Sequence, residues 1–131
     1  MRGGCRCGRT TLEAAGEPFQ VSYCHCDDCR RASGAPVTLF VGFASGAVRF
    51  GGEAPARWSQ VEGVERLFCP VCGTPLAYVD RRLEDETYLM AGALDEVRAL
   101  RPQRHAFEAE RLSWFDVADD LPREDGYTRP R

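Results

Sequence analysis

The sequence predicts a mainly β protein that forms one domain over residues 1–131. Three observations support this class: short runs of β-forming residues recur along the chain, glycine and proline separate them, and helix signals are weak. A chain of 131 residues is long enough to bury one hydrophobic core. Because no apolar run approaches the roughly 18 residues of a membrane span, we expect no membrane insertion.

Six runs have the residue pattern of strands. In residues 37–43, Val37, Leu39, Val41 and Phe43 alternate with a second set of side chains, and this period of two suits a strand covered on at least one face. The predicted strands span residues 9–14, 19–26, 37–43, 56–62, 64–69 and 87–94.

Two short helices and an irregular end complete the predicted elements. The sequence predicts a helix of one or two turns over residues 27–33 and a second short helix over residues 95–100, with Asp95 as its N-cap. Residues 105–117 predict a strand with a break near Leu112. We expect residues 118–131 to form an irregular and mostly solvated tail.

Composition argues against a nucleic acid as the partner. The formal net charge is −3, and all 17 basic residues are arginine, since lysine is absent together with asparagine and isoleucine. These three residue types share A/T-rich codons, so the bias indicates a GC-rich, bacterial genome rather than selection for phosphate binding. The first four residues contain no apolar segment of a secretory signal, so we expect a cytoplasmic protein.

Seven cysteines dominate the candidate functional residues. An odd number of cysteines in a cytoplasmic chain favours metal binding over a disulfide framework. Residues two apart in a strand share a face, so each Cys-x-Cys can direct both sulfurs to one ion, and Cys-x-x-Cys-Gly has the spacing of a metal knuckle. The cysteines form an N-terminal pair (Cys5, Cys7), a cysteine trio (Cys24, Cys26, Cys29) and a C-terminal pair (Cys69, Cys72).

These groups predict two zinc ions per chain. In the simplest arrangement the two pairs form a closed four-thiolate zinc site, and the trio holds a second zinc. The residues also allow the N-terminal pair to join Cys24 and Cys26, which leaves Cys29 with the C-terminal pair. In either arrangement one zinc has only three ligands, which is the pattern of a catalytic site whose fourth position takes water or substrate.

The alternative is a site closed by a distant side chain. His25 lies between two cysteines, and the strand period turns it away from them, so we expect it to pack rather than coordinate. Asp27 and Asp28 are expected to point to water. His105 is either an ordinary strand histidine or a ligand that arrives from the far end of the chain.

With these motifs, the chain resembles the glutathione-dependent formaldehyde-activating enzyme family, also known through centromere protein V. The matching segments follow the family's order along nearly the whole chain. They are GGCRCG at 3–8, CHCDDCRRASG at 24–34, RLFCPVCGTPL at 66–76, GALDE at 92–96 and HAFEAERLSWFDVADDLPREDG at 105–126.

The resemblance implies several coiled antiparallel sheets, in a fold shared with zinc-binding methionine sulfoxide reductases and a Rab-binding chaperone. It also implies that the two pairs hold the structural zinc and the trio holds the functional one. The implied reaction joins glutathione, or a similar thiol, to formaldehyde and gives S-(hydroxymethyl)glutathione, a carbon–sulfur lyase activity. Arg30 and Arg31 would offset the charge of the trio or meet substrate carboxylates, unless they are simply solvated.

Two other functions fit parts of the sequence. A non-catalytic, zinc-stabilised protein-binding module would need the same cysteines and no open ligand position. A methionine sulfoxide reductase would need a reactive cysteine outside the metal sites, whereas all seven cysteines are assigned to metal. The sequence therefore favours a zinc-dependent enzyme that binds a small thiol.

Overall fold

The computed structural model describes residues 1–131 and has the predicted mainly β architecture. Its strands form two sheets, one of three strands and one of seven. The strands are β1 (Arg2–Gly4), β2 (Thr10–Ala14), β3 (Gln20–Cys24), β4 (Thr38–Ala44), β5 (Val48–Gly52), β6 (Ala56–Trp58), β7 (Val64–Phe68), β8 (Pro75–Asp80), β9 (Glu86–Met90) and β10 (Arg104–Ala106).

The small sheet has the order β1-β2-β5 and is antiparallel. Strand β2 alternates buried and exposed residues, so Leu12 and Ala14 enter the core while Thr11 and Glu13 face water. Gly3 in β1 lies so close to the chain at Ala93 that a Cβ atom there would come within 2.1 Å of the Ala93 carbonyl oxygen. This close approach holds the N-terminal strand against the body of the protein.

The large sheet has the order β10-β3-β4-β9-β8-β7-β6. All neighbours are antiparallel except β10, which pairs with β3 in parallel. Strand β4 is covered on both faces, because Val41 and Phe43 join the main core cluster while Phe40 joins a second, smaller one. The smaller cluster also contains Cys24 and Cys29, so the trio lies beside the second core.

The only α-helix, α1 (Asp27–Ser33), begins directly after the second cysteine of the trio. The Cys26 sulfur accepts the backbone N–H of Cys29 and caps the helix, and Gly34 ends it in the left-handed conformation at φ 72°. The helix therefore has the predicted bounds, and its cap is itself a candidate metal ligand.

Several predicted strands are too long. Residues 56–62 form a strand only to Trp58, because a turn closes when the Val64 N–H donates to the Val61 carbonyl. Residues 87–94 leave the sheet after Met90 and enter a 3-10 turn, Ala91–Ala93. Three observed strands, β1, β5 and β8, are not among the six predicted runs.

The predictions beyond residue 94 need larger corrections. The helix expected from Asp95 is one 3-10 turn, Val97–Ala99, and Glu96 rather than Asp95 precedes it. The strand expected over residues 105–117 ends at Ala106, well before Leu112. The next residue, Phe107, has a φ of 55°, a left-handed conformation that directs the chain out of the sheet and into the 3-10 turn Glu108–Glu110.

The C-terminal segment, residues 111–131, is irregular, as predicted for residues 118–131, but is held to the domain by its side chains. Arg129 binds Glu86, and Arg131 Nε donates to Asp80 Oδ2 at 2.9 Å. The Asp119 carboxylate accepts a bond from buried His105. No residue of 118–131 is buried, as expected for a solvated tail, but charged partners on the sheets fix the segment in place. No helix of the structure has the length and apolar character to cross a membrane.

Candidate metal centres and the adjoining cavity

The structure brings the two cysteine pairs together. Cys5 and Cys7 follow strand β1, and Cys69 and Cys72 lie in the loop between β7 and β8. Their four sulfurs lie within 4.8 Å of one another, with 3.5 Å between Cys5 and Cys7 and 3.8 Å between Cys7 and Cys69. We call these four residues the four-cysteine site.

Backbone N–H groups point to two of these sulfurs, whereas at Cys7 a backbone hydrogen bond is outweighed by burial and the neighbouring cysteines, which raise the pKa of Cys7 to about 11. The Thr10 N–H donates to the Cys5 sulfur at 3.2 Å and lowers the pKa of that thiol. The N–H groups of Val71 and Cys72 point to the Cys69 sulfur at 3.4 and 3.5 Å. Tetrahedral zinc with bonds of about 2.3 Å requires sulfurs about 3.8 Å apart. The spacing and the donors therefore fit a four-thiolate metal ion.

The cysteine trio forms a separate group, in which the three sulfurs also lie within 4.8 Å of one another. Cys24 ends β3, Cys26 caps α1 and Cys29 lies in the first turn of that helix. The Cys29 N–H donates to the Cys26 sulfur at 3.2 Å. The neighbouring thiols of Cys24 and Cys26, with a further contribution from Arg66, lower the pKa of Cys29 to about 3, whereas the pKa values of Cys24 and Cys26 are raised. Without a metal ion the trio therefore favours one thiolate, on Cys29, and its spacing allows three ligands from the chain to reach one ion.

A cavity of about 310 Å³ opens over the trio. All three cysteines line it, whereas none of the cysteines of the four-cysteine site does. The aromatic residues around it come from strands β4, β8 and β9, from the turn after β10 and from the C-terminal segment. They are Phe40, Tyr78, Tyr88, Phe107 and Tyr127. The trio therefore adjoins a recessed space, whereas Cys7 and Cys72 of the four-cysteine site are exposed at the surface.

Arg66 is the cation nearest to the trio. Its Nη2 atom donates to the Cys29 sulfur at 3.5 Å and to Asp28 Oδ2 at 2.5 Å, and its guanidinium lies 5.2 Å from the centre of the Tyr78 ring. Burial opposes its charge, but the Cys29 sulfur and then Asp28 outweigh this effect and raise the pKa of Arg66. The role that the sequence suggested for Arg30 and Arg31 therefore falls to a residue of β7.

The two predicted arginines lie away from the cavity. Arg30 Nη2 donates to Asp27 Oδ1 at 3.3 Å, one helical turn away, and Arg31 is exposed. Neither lines the cavity. Asp27 and Asp28 point outward as expected, but Asp28 also binds Arg66.

The two histidines bind each other. His25 Nε2 and His105 Nδ1 are 2.8 Å apart, and His105 Nε2 lies 2.9 Å from Asp119 Oδ2. Because the carboxylate can only accept, His105 donates through Nε2 and accepts at Nδ1, so His25 donates through Nε2. Burial, followed by the nearby His105, lowers the pKa of His25. The chain Asp119–His105–His25 therefore ties the C-terminal segment to the residue between Cys24 and Cys26.

These histidines form a third group of potential ligands with Glu108. Their hydrogen-bonded ring nitrogens, 2.8 Å apart, already pair with each other, and Arg111 and Arg123 both bind the Glu108 carboxylate. His25 Nδ1 and Glu108 Oε2 are buried without a partner, but the two guanidiniums adjacent to Glu108 disfavour a further cation there. We therefore describe the group as structural.

Sequence reasoning missed Arg66, Asp119 and the lining residues of the C-terminal segment. Arg66 contacts a cysteine 37 positions earlier in the chain, and His105 meets Asp119 across an irregular segment. Only the RLFCPVC segment offered a signal for Arg66, since it places an arginine three residues before the C-terminal pair.

A mainly β fold with one group of four and one group of three cysteines defines a protein with two potential thiolate metal centres. The sequence matches the model of the family described as glutathione-dependent formaldehyde-activating enzyme over residues 1–110. The chain belongs to this family.

Comparison with curated proteins finds no match. Among solved structures, a crystal structure of a Rhodobacter sphaeroides protein is similar, with a TM-score of 0.62 and 20% sequence identity. The similarity covers 78% of this chain and 92% of that chain, and at this identity it supports the fold alone.

Proposed function

We propose that this protein is a zinc-dependent carbon–sulfur lyase that joins a thiol to an aldehyde, in the manner of an S-(hydroxymethyl)glutathione synthase. The thiol is glutathione or a similar molecule, and the aldehyde is formaldehyde or a close relative. Membership of the family supports this reaction. The observation that carries the proposal is the cavity over the cysteine trio, which gives a potential three-thiolate site direct access to a small molecule.

Two zinc ions fit the two cysteine groups of one domain that spans residues 1–131. Cys5, Cys7, Cys69 and Cys72 would hold a structural zinc, and Cys24, Cys26 and Cys29 the second zinc. When bound by three thiolates, zinc supplies an open position that accepts a substrate sulfur and favours its thiolate form. All seven thiols are free of disulfides, which supports a cytoplasmic protein.

The reaction is an addition without change of oxidation state. The thiol sulfur forms a bond to the carbonyl carbon, and the π-electron pair of the carbonyl moves to its oxygen. The proton that the thiol loses ends on that oxygen as a hydroxyl group. No further oxidant or reductant is needed, and the reverse reaction breaks the same carbon–sulfur bond.

The residues of the chain bind and orient the reactants. Arg66 places positive charge 3.5 Å from the Cys29 sulfur, so an additional anionic sulfur beside the trio is electrostatically tolerated. Ala106 and Phe107 line the cavity on the side of β10 with apolar surface. Holding the thiol and the aldehyde together there lowers the entropic cost of their encounter.

Cadmium-113 NMR tests the binding step. In cadmium-substituted protein we expect two resonances, one of which is lost in Cys29→Ser and the other in Cys72→Ser. Adding the small thiol 2-sulfanylethanol should shift only the resonance that depends on Cys29. If neither 2-sulfanylethanol nor glutathione moves that resonance, the site does not bind thiols and the proposal is wrong.

Catalysis is measured separately by exchange NMR between free formaldehyde and its thiol adduct. The zinc-loaded protein should accelerate this exchange, and Cys29→Ser should abolish the acceleration. If the exchange is no faster with the protein than in buffer alone, the protein binds thiols but is not a lyase.

A further inference from the structure

The walls of the cavity over the cysteine trio are mostly hydrophobic. Phe40, Tyr78 and Tyr88 surround one side, with ring centroids 5.9 to 6.4 Å apart and tilted or edge-to-face orientations. Phe107 and Tyr127 add a second aromatic pair to the lining, with centroids 4.9 Å apart at 82°. Guanidiniums lie over Tyr78 and Tyr127, and the remaining aromatic surface suits a further aromatic or branched apolar group.

Every cation that lines the cavity already has a carboxylate partner. Arg66 binds Asp28, and both Arg82 and Arg131 bind Asp80, whose side chain is completely buried. Asp80 receives bonds from Arg82 Nη2 at 2.8 Å and from Arg131 Nε at 2.9 Å. Carboxylates of a ligand would therefore have to displace these pairs or enter the cavity without a partner, and both cost free energy.

Part of this lining lies outside the region of family similarity. Tyr127, Thr128 and Arg131 line the cavity, whereas the family match covers residues 1–110. The ring of Tyr127 contacts Phe107 and lies beneath the guanidinium of Arg131 at 3.7 Å. The chain therefore builds one wall of the cavity from residues to which the family comparison does not extend.

We propose that the thiol partner of this site carries a small, uncharged aromatic body, and that Tyr127 is a residue that determines this specificity. The inference rests on the proposed function, because it assigns the body of the thiol that the trio would bind. Glutathione, which the proposed function also allows, is the weaker partner, because its two carboxylates would meet arginines that already bind Asp28 or Asp80. They would also meet the carboxylate of Glu110, which lines the cavity without a cation partner.

The test compares three thiols by calorimetry on the zinc-loaded protein. The probes are phenylmethanethiol, the same molecule with a carboxylate in the para position, and glutathione. We expect phenylmethanethiol to bind at least about tenfold more tightly than either charged thiol. If glutathione or the carboxylate analogue binds as tightly as phenylmethanethiol, the inference is wrong. The proposed function would still stand, because the site would bind a thiol. Binding of none of the three overturns both the inference and the proposed function.

Variants of Tyr127 test the residue assignment. Tyr127 is partly exposed, so its replacement leaves the core intact. Tyr127→Ala should weaken phenylmethanethiol roughly threefold to tenfold, the effect of losing one aromatic contact, while Tyr127→Phe should bind like the unchanged protein. Trp114→Ala removes an exposed ring away from the cavity and should have no effect. Equal losses in Tyr127→Ala and Tyr127→Phe, or none in Tyr127→Ala, would overturn the role of the ring.

Discussion

Arg66 Nη2 lies 3.5 Å from the Cys29 sulfur and 2.5 Å from Asp28 Oδ2, so a single guanidinium joins the cysteine trio to the rim of the cavity. The side chain reaches the trio from β7 and lies over the ring of Tyr78. Three thiolates around a divalent ion leave one excess negative charge, and Arg66 is placed to balance it.

Replacing Arg66 should weaken thiol binding more than it weakens the fold. A bound thiolate adds a negative charge beside the trio, and the attraction of a guanidinium about 4 Å away is worth roughly 1–4 kcal/mol. Arg66→Gln should therefore lower the affinity for 2-sulfanylethanol by roughly tenfold or more. The zinc content should remain at two ions per chain. Calorimetry and metal analysis of the same samples measure both effects.

Arg30→Gln is the matched control for this prediction. Arg30 lies on the same helix as Cys29 but binds Asp27 rather than a sulfur, so its loss should leave thiol affinity unchanged. Arg66→Lys should recover part of the affinity because it restores the charge without the fork of donors. Equal affinity in Arg66→Gln and the unchanged protein would contradict the role of Arg66.

Removing the metal from the four-cysteine site should destabilise the whole domain. This site ties Cys5, next to the small sheet, to Cys72, in a loop of the large sheet. Metal binding contributes to folding directly, so Cys72→Ser should bind one zinc fewer and lose at least about 3 kcal/mol of unfolding free energy. Thermal unfolding with and without a chelator measures the effect, and unchanged stability after removal of both ions would contradict it.

The local parts of the site could be predicted from the sequence. Helix α1 has its predicted bounds because Cys26, Asp27 and Gly34 provide the cap, the first turn and the left-handed end within one short segment. The grouping of the two cysteine pairs also agrees with the simplest arrangement. This grouping requires only that the loop after β7, which holds the C-terminal pair, approaches the turn after β1, which holds the N-terminal pair.

The remaining features depend on contacts between distant segments. His105 pairs with Tyr23 through a parallel strand contact 82 positions apart in the sequence, and nothing near His105 indicates that pairing. The C-terminal segment has the composition of a solvated tail, but Asp80 and Glu86 bind its arginines. A sequence pattern reports burial along one element, whereas such partners appear only when the sheets are assembled.

The histidine pair should affect stability rather than metal content. His25 and His105 are fully buried and bind each other through ring nitrogens 2.8 Å apart. Loss of one partner leaves a buried polar atom unsatisfied, at a cost of about 1–3 kcal/mol. We therefore expect His25→Gln and His105→Gln to unfold at lower urea concentration while each still binds two zinc ions. Loss of one zinc in either variant would instead indicate a site closed by histidine.

Asp80 should give the C-terminal segment a stability that depends on acid pH. Its burial opposes ionisation, but hydrogen bonds from Arg82, Tyr78 and Arg131 outweigh this effect and lower the pKa of Asp80 from 3.8 to about 2. A carboxyl group whose pKa is lower in the folded state stabilises the fold above its unfolded pKa, and this stabilisation is lost as the pH falls through the folded pKa. The contribution should thus be complete above about pH 5 and disappear between roughly pH 4 and pH 2.

Comparison with Asp80→Asn isolates this contribution, because metal loss in acid affects both proteins alike. The variant removes the charge that Arg82 and Arg131 share and should lose roughly 2 kcal/mol of unfolding free energy at neutral pH, as expected for charge-assisted hydrogen bonds. The difference between the two proteins should stay constant from pH 8 to pH 5 and shrink only below about pH 4, when Asp80 begins to bind a proton. Urea unfolding across this range measures it. A difference that already shrinks between pH 7 and pH 5 would mean that the pKa of Asp80 is raised rather than lowered, and that the two arginines do not hold it ionised.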